Sequence, residues 1–157
     1  MNANVVWQEG LKFNGTADSG FTVPLDSGFL SGGESEGFKP MELIATGLAG
    51  CTAMDTISIL QKKRQEITAF EVNVDAEQAK QHPHVFTHIR IEYLITGHAV
   101  DEKAVLRAIQ LSAERYCPAQ GMLSQVVPMK LEYQIFEDHG DLERELITIG
   151  AYTREEI

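Results

Sequence analysis

Two cysteines, Cys51 and Cys117, carry the side chains of this 157-residue chain that are best suited to covalent chemistry. A thiolate is both a nucleophile and a metal ligand, and an oxidised cysteine can form a disulfide with a second thiol. The two cysteines lie 66 positions apart (117 minus 51) and belong to no CxxC motif. No histidine or cysteine follows either of them at i+3 or i+4, so the sequence predicts no metal site and no cofactor.

Cys51 lies in the middle of a long apolar run, PMELIATGLAGCTAMDTISIL. Pro40 suits the first position of a helix, and the basic Lys62 suits the last turn. These signals predict a helix over residues 40 to 63. Because apolar side chains occupy nearly all sides of this helix, we expect it to be a core helix rather than a surface amphipathic helix.

Two glycines in this predicted helix, Gly47 and Gly50, have no obvious role within the helix itself. A glycine in a helix interior is less favourable than alanine by about 1 kcal/mol. Glycine allows another part of a structure to approach a helix backbone closely. The two glycines therefore predict a close approach to this segment.

The reactivity of both thiols depends on the groups that the fold places beside them. Asp55, one helical turn after Cys51, would raise the thiol pKa if it faces the sulfur. Cys117 follows a helix predicted over residues 102 to 116, where the helix dipole disfavours a thiolate. If Pro118 begins a new short helix, Cys117 becomes its N-cap and the thiolate is favoured instead. A buried packing role is the alternative for each cysteine.

The remaining patterns predict an α+β domain over residues 1 to 137 and a polar tail over residues 138 to 157. Apolar and polar residues alternate in several segments, which is typical of strands with one solvated face. Asn14-Gly15 indicates a hairpin turn, and the Gly- and Ser-rich segment 27 to 40 indicates a mobile loop. We expect the tail to be a solvated surface or a terminal helix. The predicted strands lie within residues 4 to 25, 70 to 77, 85 to 97 and 128 to 137.

The charge of the chain restricts its partners and its location. A formal net charge of -10 and a pI near 4.9 argue against nucleic acid or an anionic membrane as a partner. Glu42 and Asp55 interrupt the apolar run, and no N-terminal segment has the pattern of a signal peptide. We therefore expect a cytoplasmic protein.

Two motifs resemble those of the OsmC/Ohr family, the osmotically inducible protein C and organic hydroperoxide resistance proteins. PMELIATGLAGCTAMDTISIL resembles the core-helix motif of that family, and LSAERYCPAQGML resembles its second cysteine motif. The Cys-x-Ala-x-Asp and SILQK features are similar to the YhfA-like branch. The resemblance implies an α+β fold in which two chains intertwine as a homodimer. Antiparallel sheets would surround two long central helices, with shared sites at the interface.

The resemblance also implies thiol-dependent reduction of organic hydroperoxides in the oxidative stress response. Cys51 would attack the peroxide to give a sulfenic acid, and Cys117 would resolve this acid as a disulfide. Glu42 matches a family glutamate that orients the site or handles protons. A dithiol reductant would restore both thiols.

One family feature is missing from this chain. The peroxidases of the family carry an N-terminal arginine that pairs with the thiolate, whereas this chain has no arginine before Arg64. Lys12, Lys39 or Arg115 would have to supply that charge, without the bidentate geometry of the family arginine. The alternative functions are a dimeric small-molecule-binding or redox-sensing protein without peroxidase activity, and a dimer whose cysteines serve only packing.

Overall fold

The computed structural model describes residues 1–153 of the chain, which form two compact units, the first over Met1–Ala45 and the second beginning at Thr46. The mixture of helices with two sheets confirms the predicted α+β class. The strands are β1 (Ala3–Glu9), β2 (Lys12–Ala17), β3 (Thr22–Leu25), β4 (Glu66–Gln78), β5 (Phe86–His98), β6 (Met129–Gly140) and β7 (Glu143–Tyr152). The α-helices are α1 (Pro40–Lys62), α2 (Glu102–Leu111) and α3 (Pro118–Leu123).

The first unit contains an antiparallel sheet of order β1-β2-β3. The predicted turn at Asn14-Gly15 is wrong, because both residues lie inside β2 and the β1–β2 connection contains Gly10, with φ of +50°. A Cβ atom added at Gly15 would lie 3.1 Å from Leu25 Cδ1 and 3.3 Å from Val23 Cγ1. The glycine therefore makes room for the neighbouring strand rather than forming a turn.

The segment predicted to be a mobile loop is anchored by the buried carboxylate of Asp26. This carboxylate accepts hydrogen bonds from the backbone N–H groups of Ser27 at 2.7 Å, Glu34 at 3.0 Å and Glu36 at 3.1 Å. The N–H groups of Glu36, Ser27 and Glu34 stabilise the ionised form, so they hold the pKa of Asp26 below its ordinary value. A loop with such an anchor has a defined conformation.

Helix α1 begins at the predicted proline and ends within one residue of the predicted boundary. The expectation that α1 is a core helix is met on one side only. One stripe of the helix is buried, whereas Met54 on another side is 73% exposed. The helix is long and apolar enough to cross a membrane, but a core helix of a soluble protein passes the same test. The cytoplasmic location therefore stays a prediction. The buried stripe consists of Leu48, Thr52, Thr56 and Leu60.

The second unit contains a sheet of order β4-β5-β6-β7, in which β5 and β6 run parallel. Every second residue of β5 points into the core, and Ile89, Ile91, Tyr93 and Ile95 are each no more than 2% exposed. These four residues confirm the alternation predicted for this strand, whereas Val85 precedes the strand and is exposed. The parallel connection from β5 to β6 contains α2 and α3, and it brings the second cysteine motif into this unit.

The segment predicted as a polar tail forms the strand β7, which pairs antiparallel with β6. The helix alternative for this segment is therefore wrong. The spacing of Leu142, Leu146 and Ile149 fits a helix, but residues 143 to 152 form an edge strand, in which pairing with β6 satisfies the backbone N–H and C=O groups on one side. Most of these side chains are exposed, as expected for a solvated surface. Residues 154 to 157 lie outside the described part of the chain.

Candidate active site

The second unit brings both cysteines together with Asp55. The two Sγ atoms and a carboxylate oxygen of Asp55 all lie within 4.8 Å of one another. Cys51 and Asp55 share one face of α1, because residues four apart in a helix are neighbours. Cys51 is partly buried, Cys117 is only 4% exposed, and both are free thiols. The fold therefore places two redox-capable thiols and one carboxylate in a single cluster.

Cys117 is held at the junction of two helical segments. Helix α2 continues into a π-helical turn, Ser112–Tyr116, and α3 begins with Pro118 at its first position. The Cys117 side chain accepts a hydrogen bond from the backbone N–H of Gln120, with an N···S distance of 3.4 Å. This geometry confirms the alternative in which Cys117 is the N-cap of a short helix.

Burial dominates the acid–base behaviour of Cys117. Removal of the sulfur from water raises the pKa of the Cys117 thiol to about 12, although the N–H of Gln120 acts in the opposite direction. The neighbouring Cys51 and Asp55 both raise the pKa further, because they disfavour a second negative charge. At neutral pH Cys117 is a thiol rather than a thiolate.

A buried network of polar side chains lies behind the cysteines. Thr52 Oγ1 is its centre and lies 2.6 Å from Tyr93 Oη, 3.0 Å from Ser112 Oγ and 2.8 Å from Gln120 Nε2. Ser112 Oγ also donates to Asp55 Oδ2 at 3.3 Å, which connects the network to the cluster. All four network members are at most 1% exposed. Burial raises the pKa of Tyr93, so its hydroxyl stays protonated.

Sequence reasoning did not identify this network. Thr52 occupies a buried position of the otherwise apolar α1, and Ser112 lies on the inward stripe predicted for the second helix. A hydroxyl at a position that periodicity marks as buried must find a hydrogen-bond partner. That requirement indicates that a buried network exists. Its members cannot be identified from local spacing, because partners of Thr52 lie on β5 and α3.

Glu42 lies in the first unit, at the beginning of α1. Its carboxylate accepts a hydrogen bond from the backbone N–H of Lys39 at 3.0 Å and lies 3.3 Å from the Lys39 ammonium. These contacts form half of a capping box and hold the pKa of Glu42 below its ordinary value. The structure thus gives Glu42 a helix-capping role, and its proposed role beside the thiols stays a prediction.

The three cations considered as replacements for the family arginine have contacts elsewhere. Lys12 forms ion pairs with Glu34 and Glu36, and Lys39 pairs with the acidic residue that caps α1. Arg115 is exposed, and its guanidinium lies 5.6 Å from the centre of the Tyr116 ring. These contacts do not support a role for the three side chains as thiolate partners.

A cavity of about 550 Å³ on the second unit is separate from the thiols. It is lined by residues of β4, β5 and β6, among them Asp75, Arg90 and Lys130, and no cysteine lines it. None of the residues that line it belongs to the cluster of Cys51, Asp55 and Cys117.

Comparison with known proteins places these features in a wider context. A family model described as OsmC-like protein matches residues 32–132. Protein YhfA of Escherichia coli (strain K12) is 38% identical over 135 residues, which cover 86% of this chain and 98% of that protein.

Two solved structures share the fold. An OsmC-like protein from Mycoplasma pneumoniae has a TM-score of 0.73 at 19% identity, covering 85% of this chain and 95% of that chain. An organic hydroperoxide resistance protein from Elizabethkingia anophelis has a TM-score of 0.63 at 14% identity, covering 87% and 94% of the two chains. At these identities the likeness shows a common architecture.

Proposed function

Because this chain belongs to the OsmC-like protein family, we propose that it reduces organic hydroperoxides with Cys51 as the nucleophile and Cys117 as the resolving thiol. The observation that carries the proposal is the position of the two Sγ atoms within 4.8 Å of each other, although the residues are far apart in sequence. The similar fold of proteins named for organic hydroperoxide resistance supports the choice of substrate.

The proposed reaction has three steps. The thiolate of Cys51 attacks one peroxide oxygen, the O–O bond breaks, and the alkoxide leaves as an alcohol after it takes a proton. Cys117 then attacks the sulfenic acid on Cys51, which releases water and forms a disulfide between the two sulfurs. An external dithiol reductant restores both thiols by exchange and is itself oxidised to a disulfide.

Asp55 is suited to the second step of this reaction. Cys117 carries a proton at neutral pH and must lose it to attack the sulfenic acid. A carboxylate oxygen of Asp55 lies within 4.8 Å of both sulfurs, and Ser112 orients this carboxylate. We assign Asp55 the role of proton acceptor for Cys117.

Thiol titration of the reduced protein with cumene hydroperoxide tests this proposal. We expect one equivalent of peroxide per chain to remove both free thiols and to give a Cys51–Cys117 disulfide, identified by mass spectrometry. Cys51→Ser should lose no thiol on the same timescale. Cys117→Ser is the matched variant, since it should form a Cys51 sulfenic acid that dimedone traps. Thiols that remain free in the folded wild-type protein at excess peroxide would refute the proposal.

One observation favours the alternative function, a small-molecule-binding or redox-sensing protein without peroxidase activity. The groups beside Cys117 are the Cys51 thiol and the Asp55 carboxylate. Both raise the pKa of Cys117 and so disfavour its thiolate. Catalysis by a thiolate gains most when a cation faces it. Slow oxidation by peroxide together with reversible disulfide formation by a stronger oxidant would support this alternative.

We also propose that two copies of the chain form a dimer through α1. Only four of the 23 residues of this helix are buried within the chain, and the apolar Met54 is 73% exposed. A Cβ atom added at Gly47 or Gly50 would meet no atom of the described chain within 4 Å. A second chain packed on this helix would account for both the exposed apolar side chains and the two glycines.

Replacing Gly47 with leucine tests the dimer. If a second chain packs closely here, the added side chain should raise the dissociation constant at least about tenfold, equivalent to about 1.4 kcal/mol. Sedimentation equilibrium of wild type and variant measures this change. Gly121→Leu, on α3 where an added Cβ also meets nothing within 4 Å, is the control outside α1. Equal association of both variants and wild type would contradict the proposed interface.

A further inference from the structure

The cluster of Cys51, Asp55 and Cys117 has the composition of a site for a thiophilic divalent cation. Thiolate sulfur binds Zn²⁺ at about 2.3 Å and carboxylate oxygen at about 2.0 to 2.2 Å. In a tetrahedral complex these lengths place two sulfurs about 3.8 Å apart, and a sulfur and an oxygen about 3.5 Å apart. The three atoms here lie within 4.8 Å of one another, so binding requires each pair to approach by no more than about 1.3 Å.

The three ligand atoms come from positioned elements. Cys51 and Asp55 are at i and i+4 on α1, the spacing that lets two side chains of one helix bind the same ion. Cys117 is fixed as the N-cap of α3. Asp55 Oδ2 accepts a hydrogen bond from Ser112 Oγ at 3.3 Å, which leaves the other carboxylate oxygen for an ion. Such outer hydrogen bonds orient metal ligands.

The ligand types also indicate which ion would bind. Sulfur ligands select zinc-like ions over magnesium or calcium, which prefer sites made only of oxygen. Binding of the cation would displace the Cys117 proton into solvent, and the cation would then partly neutralise the three negative charges of two thiolates and one carboxylate. Three protein ligands leave the fourth tetrahedral position open for water or another small molecule.

We propose that the reduced protein binds one zinc-like divalent cation per chain through Cys51, Cys117 and Asp55. This property goes beyond peroxide reduction, because it uses both sulfurs as ligands without oxidising them. The sequence predicts no metal site because neither cysteine has a histidine or cysteine nearby. The third ligand is a carboxylate, and the second cysteine arrives through tertiary structure.

Metal binding and the disulfide exclude each other. When diamide oxidises the site, the two thiolates lose two electrons and form an S–S bond. The N=N bond of diamide takes up these electrons and two protons to become a hydrazine. A cation is then left with the single carboxylate of Asp55 and should dissociate.

Co²⁺ titration of the reduced, metal-free full chain under nitrogen tests the proposal. Cobalt replaces zinc in such sites, and thiolate ligands add charge-transfer absorption to the spectrum of a tetrahedral complex. We expect these bands to saturate at one Co²⁺ per chain and to disappear when Zn²⁺ is added. Protein first oxidised with diamide should show no such bands, and this comparison requires no mutation.

Three variants identify the ligands. Cys51→Ser and Cys117→Ser should each lose about half of the charge-transfer intensity and bind Co²⁺ at least about tenfold more weakly. Asp55→Asn should weaken binding by a similar factor while it keeps the charge-transfer bands. Asp141→Asn, in the turn between β6 and β7, is the matched control and should bind as the wild type does. The absence of thiolate bands in the reduced wild type, or equal binding by Asp55→Asn and Asp141→Asn, would overturn the proposal.

Discussion

Replacing Thr52 with valine is expected to lower the free energy of unfolding by about 3 kcal/mol. Valine keeps the shape of threonine but removes the hydroxyl at the centre of the buried network. Tyr93, Ser112 and Gln120 would then each lose a partner at a site that is at most 1% exposed. A buried polar group that loses its hydrogen bond destabilises a protein by about 1 to 3 kcal/mol. The loss is smaller for Ser112, because it keeps Asp55 as a partner.

Thr56→Val is the matched control on the same helix. Thr56 is also fully buried, but among the described residues its hydroxyl has no hydrogen-bond partner. The same substitution one helical turn later should therefore leave stability unchanged or raise it slightly, because it removes an unsatisfied polar group. Urea unfolding of both variants measures the difference. Equal destabilisation by Thr52→Val and Thr56→Val would show that the network does not stabilise the fold.

We also expect the free energy of unfolding to fall at alkaline pH because of Cys117. The folded state raises the pKa of this thiol from 9.0 to about 12. Stabilisation from a raised pKa is fully present below the unfolded value of 9.0, and it is lost as the pH rises toward the folded value. The unfolded chain loses its proton first, so unfolding becomes progressively more favourable. Between about pH 8 and pH 10.5 this should lower the free energy of unfolding by about 2 kcal/mol.

Urea unfolding at several pH values, with reductant and a chelator present, measures this loss. Burial also raises the pKa of Tyr93 and of Tyr133, and both residues add to the total pH dependence above about pH 10. The informative quantity is therefore the difference between wild type and Cys117→Ser below about pH 10, where the tyrosines contribute little. A difference that stays constant over this range would mean that the folded state does not disfavour the Cys117 thiolate.

Local signals in the sequence were sufficient to predict several elements. Pro40 and Lys62 mark the ends of α1 correctly, and the alternation of apolar residues identifies β5 and its buried face. Helix ends and strand faces depend on backbone geometry and on side chains within about four positions, so a single sequence contains this information. The two cysteine motifs also led directly to the correct family.

Tertiary structure determined the features that depend on distant parts of the chain. Gly15 has the sequence signature of a turn residue but lies within β2, where it pairs with Val23 of the neighbouring strand. Residues 143 to 152 had the spacing of a helix, but pairing with β6 makes them a strand. In both cases the decisive neighbour lies beyond the range over which local spacing carries information.

The cluster of Cys51, Asp55 and Cys117 also combines residues that the sequence identifies with distances that only the tertiary structure determines. The sequence identified both cysteines as candidate reactive groups and showed that Asp55 would matter if it faced a sulfur. The parallel connection between β5 and β6 places the second motif against α1, and this contact brings the three groups within 4.8 Å. Burial in that contact also raises the pKa of Cys117. Residue types are local, whereas distances and solvent exposure depend on which surfaces the folded chain buries together.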